Sequence, residues 1–157
     1  MCNDCAQIKA GIMEKQVKQV LFSCTLNAIR SVMAEAIFNK IAPESWNSVS
    51  CGVIAGPPDG FTFAVMEEKG ISLELNRQPK LFGDFHAGDI DYAVSLSIEA
   101  KYRLDKWGEL VPHEHWHIKE PFTADENREA QLKHYRLIRD EISTYVIELI
   151  KRITDNT

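Results

Sequence analysis

The sequence predicts an α/β domain of three layers, in which a four-stranded parallel sheet carries helices on both faces. Apolar segments of strand length alternate with amphipathic segments of helix length, the order typical of a parallel sheet covered by helices. The 157 residues suffice for one buried core, and no repeat, low-complexity segment or linker divides them. We therefore expect one domain over residues 17–157, preceded by an N-terminal extension, residues 1–16, that we expect to be disordered.

Four strands are predicted from apolar runs that end near turn-forming residues. They cover residues 17–24, 47–54, 92–97 and 113–118. The second is followed by the sequence AGPPDG, residues 55–60, whose glycines and prolines favour a turn. Because ligands of parallel sheets bind at the carboxyl ends of the strands, the loop after the first strand is a favourable location for a site.

The predicted helices carry apolar residues at three- and four-residue spacing. They cover residues 31–41, 61–70, 98–108 and 126–153, and one more short helix is expected within residues 71–91. The apolar face of the first helix contains Met33, Ile37, Phe38 and Ile41. The last helix should pack on the sheet through Leu132, Tyr135, Ile138, Ile142, Tyr145, Val146, Leu149 and Ile153. The sequence Thr123-Ala-Asp-Glu126 is a predicted capping box for that helix.

The composition indicates a cytoplasmic protein without nucleic-acid or membrane partners. The formal net charge of −5 disfavours a non-specific nucleic-acid surface. No apolar run is long enough to span a bilayer, and the N-terminal segment is too polar for a secretory signal. In the cytoplasm the four cysteines should be reduced. We expect a monomer or a weak dimer.

The segment CTLNAIRS, residues 24–31, joins the first strand to the first helix and predicts an anion-binding loop. Helix N-termini present unpaired N–H groups and the positive end of the helix dipole. The residues between Cys24 and Arg30 can wrap once around a tetrahedral anion with their amides pointing inward. Arg30 can then hold two oxygens of the anion with its planar guanidinium. A site of this kind favours the thiolate form of cysteine, which is the nucleophile.

Two further residues of this segment can support the loop. The Ser31 hydroxyl is close enough in sequence to donate a hydrogen bond to the sulfur of Cys24. Asn27 is the loop residue best suited to a left-handed conformation, and its amide can brace neighbouring backbone groups. The residues alone also allow an alternative to a nucleophile, in which Cys24 is an ordinary buried thiol at the end of a strand.

The segment CTLNAIRSVMAEAIF resembles the opening of the low-molecular-weight protein tyrosine phosphatases and their arsenate reductase relatives. The pattern of that family is Cys-Thr-Gly-Asn-x-Cys-Arg-Ser-Pro-Met-Ala-Glu. Further segments are similar to the family in the expected order: SCGVIAGPPDG, DYAVSLSIEA, HWHIKEPFTADEN and HYRLIRDEI. The likeness covers roughly residues 17–153, and such a combination is more specific than any single motif.

The resemblance implies hydrolysis of a phosphomonoester, either phosphotyrosine in a protein or a small aryl phosphate, without a metal or another cofactor. Cys24 would attack phosphorus and form a phosphocysteine, while Arg30 and the loop amides would hold the equatorial oxygens. Ser31 would stabilise the thiolate. The predicted phosphate-binding residues are Thr25, Leu26, Asn27, Ala28, Ile29 and Arg30.

Two positions of the loop depart from the family pattern. Leu26 replaces glycine, and a leucine would be strained by about 1–2 kcal/mol if the position required a positive φ. Ile29 replaces the second cysteine, which removes a disulfide partner for Cys24 and makes the wall of the loop more apolar.

The late loop also departs from the pattern, since Glu120-Pro121 replaces Asp-Pro. Glu120 is the candidate general acid, which would protonate the leaving oxygen and later activate water. Asp125 is the alternative acid, and both could also be ordinary surface carboxylates. Phe122 is the candidate residue flanking the ring of the substrate.

Two other functions remain open. Arsenate reduction needs a resolving thiol, and because no cysteine follows Cys51, only an external thiol carrier could complete that reaction. A catalytically weak relative that binds phosphate or a phosphoprotein is the second alternative.

Two patterns suggest metal binding more weakly. His113, His115 and His117 alternate along a short strand and could ligate zinc, but no fourth ligand is evident. Cys2 and Cys5 form half of a zinc site or a dithiol within the N-terminal extension.

Overall fold

The structure is a computed structural model that describes residues 17–107, 109–121 and 127–155. A parallel sheet forms its centre, with the strand order β2-β1-β3-β4. The strands are β1 (Lys18–Cys24), β2 (Trp46–Gly52), β3 (Tyr92–Ser95) and β4 (His113–His115). The predicted fold class is confirmed, although β4 ends at His115 instead of residue 118.

The helices of the described chain follow the predicted order. They are α1 (Arg30–Ile41), α2 (Gly60–Glu67), α3 (Ile98–Trp107) and α4 (Arg128–Asp155). Residues 71–91 contain two short 3-10 turns, Phe82–Asp84 and Ala87–Asp89, where the sequence predicted one short helix. Asn127 caps α4 by accepting the amide of Ala130 at 2.8 Å. The predicted capping box over residues 123–126 lies outside the described residues.

Both faces of the sheet are covered because successive residues of β1 are apolar and point in opposite directions. Val20 and Phe22 pack in a core that α1, α2 and α4 complete, and Leu21 packs in a second core with α3 and the 3-10 turns. The buried residues of α4 are Leu132, Tyr135, Ile138, Arg139, Ile142, Val146 and Leu149.

Two residues predicted to face the core are more exposed than expected. Ile41 is 47% exposed because it is the last residue of α1, where the chain leaves the helix. Tyr145 is also partly exposed, but its ring contacts Trp116 with a centroid distance of 5.2 Å. Among the described residues, no helix combines the length and apolar character needed to cross a bilayer.

The sheet order places the end of β1 between two neighbouring loops. Cys24 is in register with Gly52 of β2, and Ser23 is in register with Ser95 of β3. The chain that follows β1 is therefore flanked by the segments that follow β2 and β3. This is the crevice at the carboxyl ends of the strands in which ligands of parallel sheets bind.

Candidate active site

The loop over residues 24–30 turns its carbonyl groups outward. The carbonyl of Thr25 accepts the amides of the two residues that follow β2, at 2.9 and 3.0 Å, and the carbonyl of Leu26 accepts the amide of Gly56 at 3.0 Å. In a trans peptide, the N–H group points away from the carbonyl of the same unit. These contacts therefore turn the amides of Leu26 and Asn27 toward the centre of the loop.

The inward amides have no hydrogen-bond partner among the described residues. Within the part of the chain that the structure describes, the amides of residues 26–30 donate to no acceptor. Ile29, at the N-cap of α1, also provides no side-chain hydrogen bond to the first turn of that helix. Consecutive unpaired amides at a helix N-terminus form a site for an anion. The loop thus has the arrangement that the sequence predicted.

Cys24 lies at the base of this loop and is only 2% exposed. Its sulfur lies 2.9 Å from the Ser31 hydroxyl oxygen. That oxygen accepts a hydrogen bond from the Asn27 side-chain amide at 3.0 Å, which leaves the proton of Ser31 free to point at the sulfur. The predicted contact between Ser31 and Cys24 is confirmed, and its geometry suits stabilisation of a thiolate.

Asn27 adopts the left-handed conformation that the sequence predicted, with φ of 54°. It is the only non-glycine residue with positive φ in the described chain, so the strain considered for Leu26 does not arise. Leu26 instead packs over Gly56, where an added Cβ would lie 2.7 Å from the Leu26 Cβ. The glycine of the turn after β2 therefore makes room for the bulky residue of the loop.

The guanidinium of Arg30 is held in place through one of its three nitrogens. Its Nη1 donates to the carbonyls of Leu96 and Ile118, at 3.2 and 3.0 Å. No acceptor in the described chain takes a hydrogen bond from its Nε or Nη2, and the residue is 9% exposed. Arg30 can thus present two donors in one plane to a bound anion.

Glu120 is exposed and lines the cavity that holds Cys24 and Arg30. It therefore lies at the mouth of the loop, as a residue that meets a leaving group must. Pro121, which follows it, is buried and anchors this end of the segment. The other candidates of the late loop, Asp125 and Phe122, lie outside the described residues.

A cleft of about 340 Å³ extends from the loop between α3 and the chain that follows β4. Its lining includes Leu26, Glu99 and His115. Glu99 accepts a hydrogen bond from the Thr25 hydroxyl at 3.1 Å, which ties the loop to α3. Burial, together with the charges of Lys101 and neighbouring groups, lowers the pKa of His115.

The three alternating histidines do not converge on a metal. His113 contacts Asp105 and the carbonyl of Val111, at 3.1 and 2.7 Å, whereas His115 contacts the hydroxyl of Ser95 at 2.8 Å. Among the described residues, no three histidine, cysteine, aspartate or glutamate side chains are placed to hold a metal ion. Cys2 and Cys5 lie outside the described residues.

Cys51 belongs to the core on the opposite face of the sheet from Cys24. It is fully buried, and this burial raises the pKa of its thiol. Neither its position nor its environment suits a thiol that must reach the sulfur of Cys24.

Sequence reasoning missed a polar network behind the loop. The side-chain amide of Asn27 donates to the Ser50 hydroxyl at 2.9 Å, and Ser50 donates to the carboxylate of Glu35. Arg77 contacts both Glu35 and the carbonyl of Asn27. The signal for Ser50 was a hydroxyl within a predicted buried strand, but no pattern in the sequence indicated Arg77.

Comparison with known proteins defines the class to which this fold and site belong. The family model described as low molecular weight phosphotyrosine protein phosphatase matches residues 19–157. The chain therefore belongs to that family, which confirms the resemblance of the loop and the later segments.

The relatives with similar sequences include arsenate reductases. The arsenate reductase of Bacillus licheniformis is 28% identical over 138 residues, covering 88% of this chain and 96% of that protein. The glutaredoxin arsenate reductase of Synechocystis is 26% identical over 138 residues, covering 88% of this chain and all of that protein (100%).

Solved structures share the fold. The arsenate reductase of Archaeoglobus fulgidus is 29% identical with a TM-score of 0.65, covering 84% of this chain and 98% of that one. An arginine phosphatase from Geobacillus stearothermophilus is 23% identical with a TM-score of 0.71, covering 88% of this chain and 94% of that one. At that identity the second likeness is one of fold alone.

Proposed function

We propose that this protein is a cytoplasmic, cysteine-dependent phosphatase that hydrolyses phosphotyrosine in proteins or a small aryl phosphate through a phosphocysteine. The observation that carries the proposal is the row of amides over residues 26–30 that have no acceptor among the described residues, in a loop with Cys24 and Ser31 at its base and Arg30 at its end. A phosphoryl group with three equatorial oxygens matches a loop of inward donors.

In the first step the thiolate of Cys24 attacks phosphorus, and the bond from phosphorus to the ester oxygen breaks. The loop amides and the two available nitrogens of Arg30 stabilise the charge on the equatorial oxygens. Glu120, protonated at this stage, gives its proton to the departing oxygen. The alcohol or phenol leaves, and the phosphoryl group remains on the sulfur.

In the second step water attacks phosphorus and Cys24 leaves as a thiolate. Glu120, now a carboxylate, takes a proton from the water, which restores the starting state and releases inorganic phosphate. The Ser31 hydroxyl, 2.9 Å from the sulfur, stabilises the thiolate both as nucleophile and as leaving group.

Hydrolysis of p-nitrophenyl phosphate and of a phosphotyrosine peptide tests the proposal. We expect turnover that vanadate inhibits and that Cys24→Ser abolishes, with Cys51→Ser as the matched cysteine control that retains activity. Turnover in Cys24→Ser equal to that of the unmodified protein would exclude the mechanism. Phosphoarginine belongs in the same assay, because a structural neighbour is an arginine phosphatase.

Arsenate reduction is the second candidate, favoured by the named activity of the relatives. The Cys24 thiolate would bond to arsenate and release water, and an external thiol would attack the sulfur to give a mixed disulfide and arsenite. A second external thiol would then restore Cys24 and yield an oxidised thiol carrier. The position of Cys51 on the opposite face of the sheet supports an external carrier for this route.

The two enzymatic functions are separable. Arsenate-dependent oxidation of glutathione or thioredoxin, without hydrolysis of any phosphate substrate, favours the reductase. Thermal stabilisation by inorganic phosphate without turnover in either assay favours a phosphate-binding protein that lacks efficient catalysis.

A further inference from the structure

The shape of the anion loop depends on contacts that hold every polar atom of the Asn27 side chain. Its Oδ1 accepts the backbone amide of Lys80 at 2.9 Å, and its Nδ2 donates to the hydroxyls of Ser31 and Ser50. Asn27 is 1% exposed and has a positive φ, a conformation that costs free energy in a non-glycine residue. The neighbours therefore determine the conformation of this residue.

The backbone carbonyl of Asn27 is held by a side chain from a distant segment. Nη1 of Arg77 donates to that carbonyl at 3.2 Å, and Nη2 of Arg77 lies 3.7 Å from a carboxylate oxygen of Glu35. The same carboxylate oxygen accepts the hydrogen bond of Ser50, which in turn accepts from Asn27. Arg77, Asn27, Ser50 and Glu35 thus form a closed ring behind the loop.

This ring acts on the side of the loop that binds the anion. The carbonyl of Asn27 and the amide of Ala28 belong to one trans peptide and point in opposite directions. By holding the carbonyl outward, Arg77 turns the amide of Ala28 inward, toward the anion. The ring also fixes the Asn27 amide that orients the Ser31 hydroxyl next to the sulfur of Cys24.

We propose that Arg77 is a positioning residue of the anion loop, which aligns the Ala28 amide with the bound phosphoryl group and holds Asn27 in the conformation that orients Ser31. This role of Arg77 deepens the proposed phosphatase function. It rests on that function only for the turnover measurement. The ion pair between Arg77 and Glu35 is partly buried and long, at 3.7 Å, and it does not itself touch the backbone of the loop. The hydrogen bond to the loop carbonyl is the contact that distinguishes Arg77 from a surface arginine.

The experiment compares Arg77→Met and Arg77→Lys with Arg136→Met. Arg136 is the matched control, because it also pairs with glutamates, at 2.9 Å, but Glu68 is the C-cap of α2 and Glu129 lies on α4, outside the anion loop. Methionine keeps most of the volume of arginine and removes its donors. Lysine restores one donor that can reach the Asn27 carbonyl.

Three readouts apply to each variant: affinity for inorganic phosphate and vanadate, the pH profile of Cys24 alkylation by iodoacetamide, and kcat and KM on p-nitrophenyl phosphate. We expect Arg77→Met to weaken anion binding by about tenfold and to move the alkylation midpoint to higher pH. Arg77→Lys should recover part of both losses, and Arg136→Met should change neither. If Arg77→Met does not fold, Arg77→Lys alone must give the intermediate values.

Unchanged anion affinity and an unchanged alkylation profile in both Arg77 variants would overturn the proposal. Equal losses in Arg136→Met would also overturn it, because they would reflect general destabilisation. Anion binding and alkylation are measured without turnover. A protein that binds phosphate but hydrolyses no substrate would therefore contradict the proposed phosphatase and leave the test of Arg77 intact.

Discussion

Leu26 of the anion loop and Gly56 of the turn after β2 are in direct contact, and each determines what the other position can hold. The amide of Gly56 donates to the carbonyl of Leu26 at 3.0 Å, and a Cβ at Gly56 would lie 2.7 Å from the Cβ of Leu26. The loop carries leucine where the family pattern has glycine, so the space for this side chain comes from the turn. The departure from the family pattern is accommodated without a positive φ at Leu26.

Gly56→Ala should displace Leu26 and with it the loop. We expect the free energy of unfolding to fall by about 1–3 kcal/mol, since the added methyl overpacks a filled contact, and kcat/KM to fall as well. Gly60→Ala is the control, because a Cβ at Gly60 meets no atom within 4 Å. The double variant Leu26→Gly, Gly56→Ala removes the clash. If it recovers none of the lost stability, the clash is not the cause.

Ser31→Ala should lower kcat by roughly 100-fold, because the thiolate loses a hydrogen-bond donor at 2.9 Å. Steady-state kinetics and the pH profile of Cys24 alkylation measure the effect. Ser48→Ala is the matched control. Ser48 is also buried, but it donates to the carbonyl of Glu35 at 3.1 Å and contacts Asn39 instead of the sulfur. Similar kinetics in the two variants would contradict the role of Ser31.

Glu120→Gln should slow hydrolysis of phenyl phosphate much more than that of p-nitrophenyl phosphate. Proton transfer by a positioned acid contributes roughly 10²–10⁴-fold, and a poor leaving group needs it most. Asp125→Asn is the comparison, because Asp125 is the other candidate acid. If only Asp125→Asn shows this dependence on the leaving group, the general acid is Asp125 and not Glu120.

His115→Gln should flatten the dependence of thermal stability on pH between about pH 5 and 6.5. Burial lowers the pKa of His115 below its ordinary value of 6.5, so the unfolded chain takes up this proton at higher pH than the folded chain. The unmodified protein should therefore lose stability as the pH falls below 6.5. Thermal melts across this range measure the effect, and parallel curves for the two proteins would contradict it.

Arginine pairing also lowers the pKa of Glu68 and helps to lower that of Glu114. The ordinary pKa of both carboxyls is 4.5, so the stability that their pairing provides is lost only as the pH falls below about 4.5. The effect of His115 begins at higher pH, near 6.5. Melts recorded at pH 5 and above keep the two effects apart.

The parts of the site that sequence reasoning placed correctly are local. Cys24 and Ser31 are seven residues apart, and a strand followed by a helix leaves few ways to arrange the loop between them. The left-handed conformation of Asn27 could be predicted from its residue type, because asparagine tolerates positive φ better than its neighbours in the loop.

The supports of the loop come from distant segments, which no spacing rule connects to it. Arg77 is 50 residues from Asn27 and lies in a stretch without regular periodicity, where the sequence predicted only a loop and one short helix. The predicted extent of β4 was also too long by three residues. The apolar residues Trp116 and Ile118 suggested a longer strand, but they are buried without continuing it.

The sequence by itself determined the order of strands and helices and the position of the anion loop after β1, with Cys24 as the proposed nucleophile. Periodicity and contiguous motifs encode these features locally. Only the tertiary structure decided how the loop holds its amides inward and how Leu26 fits against Gly56. It also decided where Glu120 and Arg77 lie relative to the loop. Those answers depend on contacts between segments far apart in the chain, which packing of the whole sheet and its helices brings together.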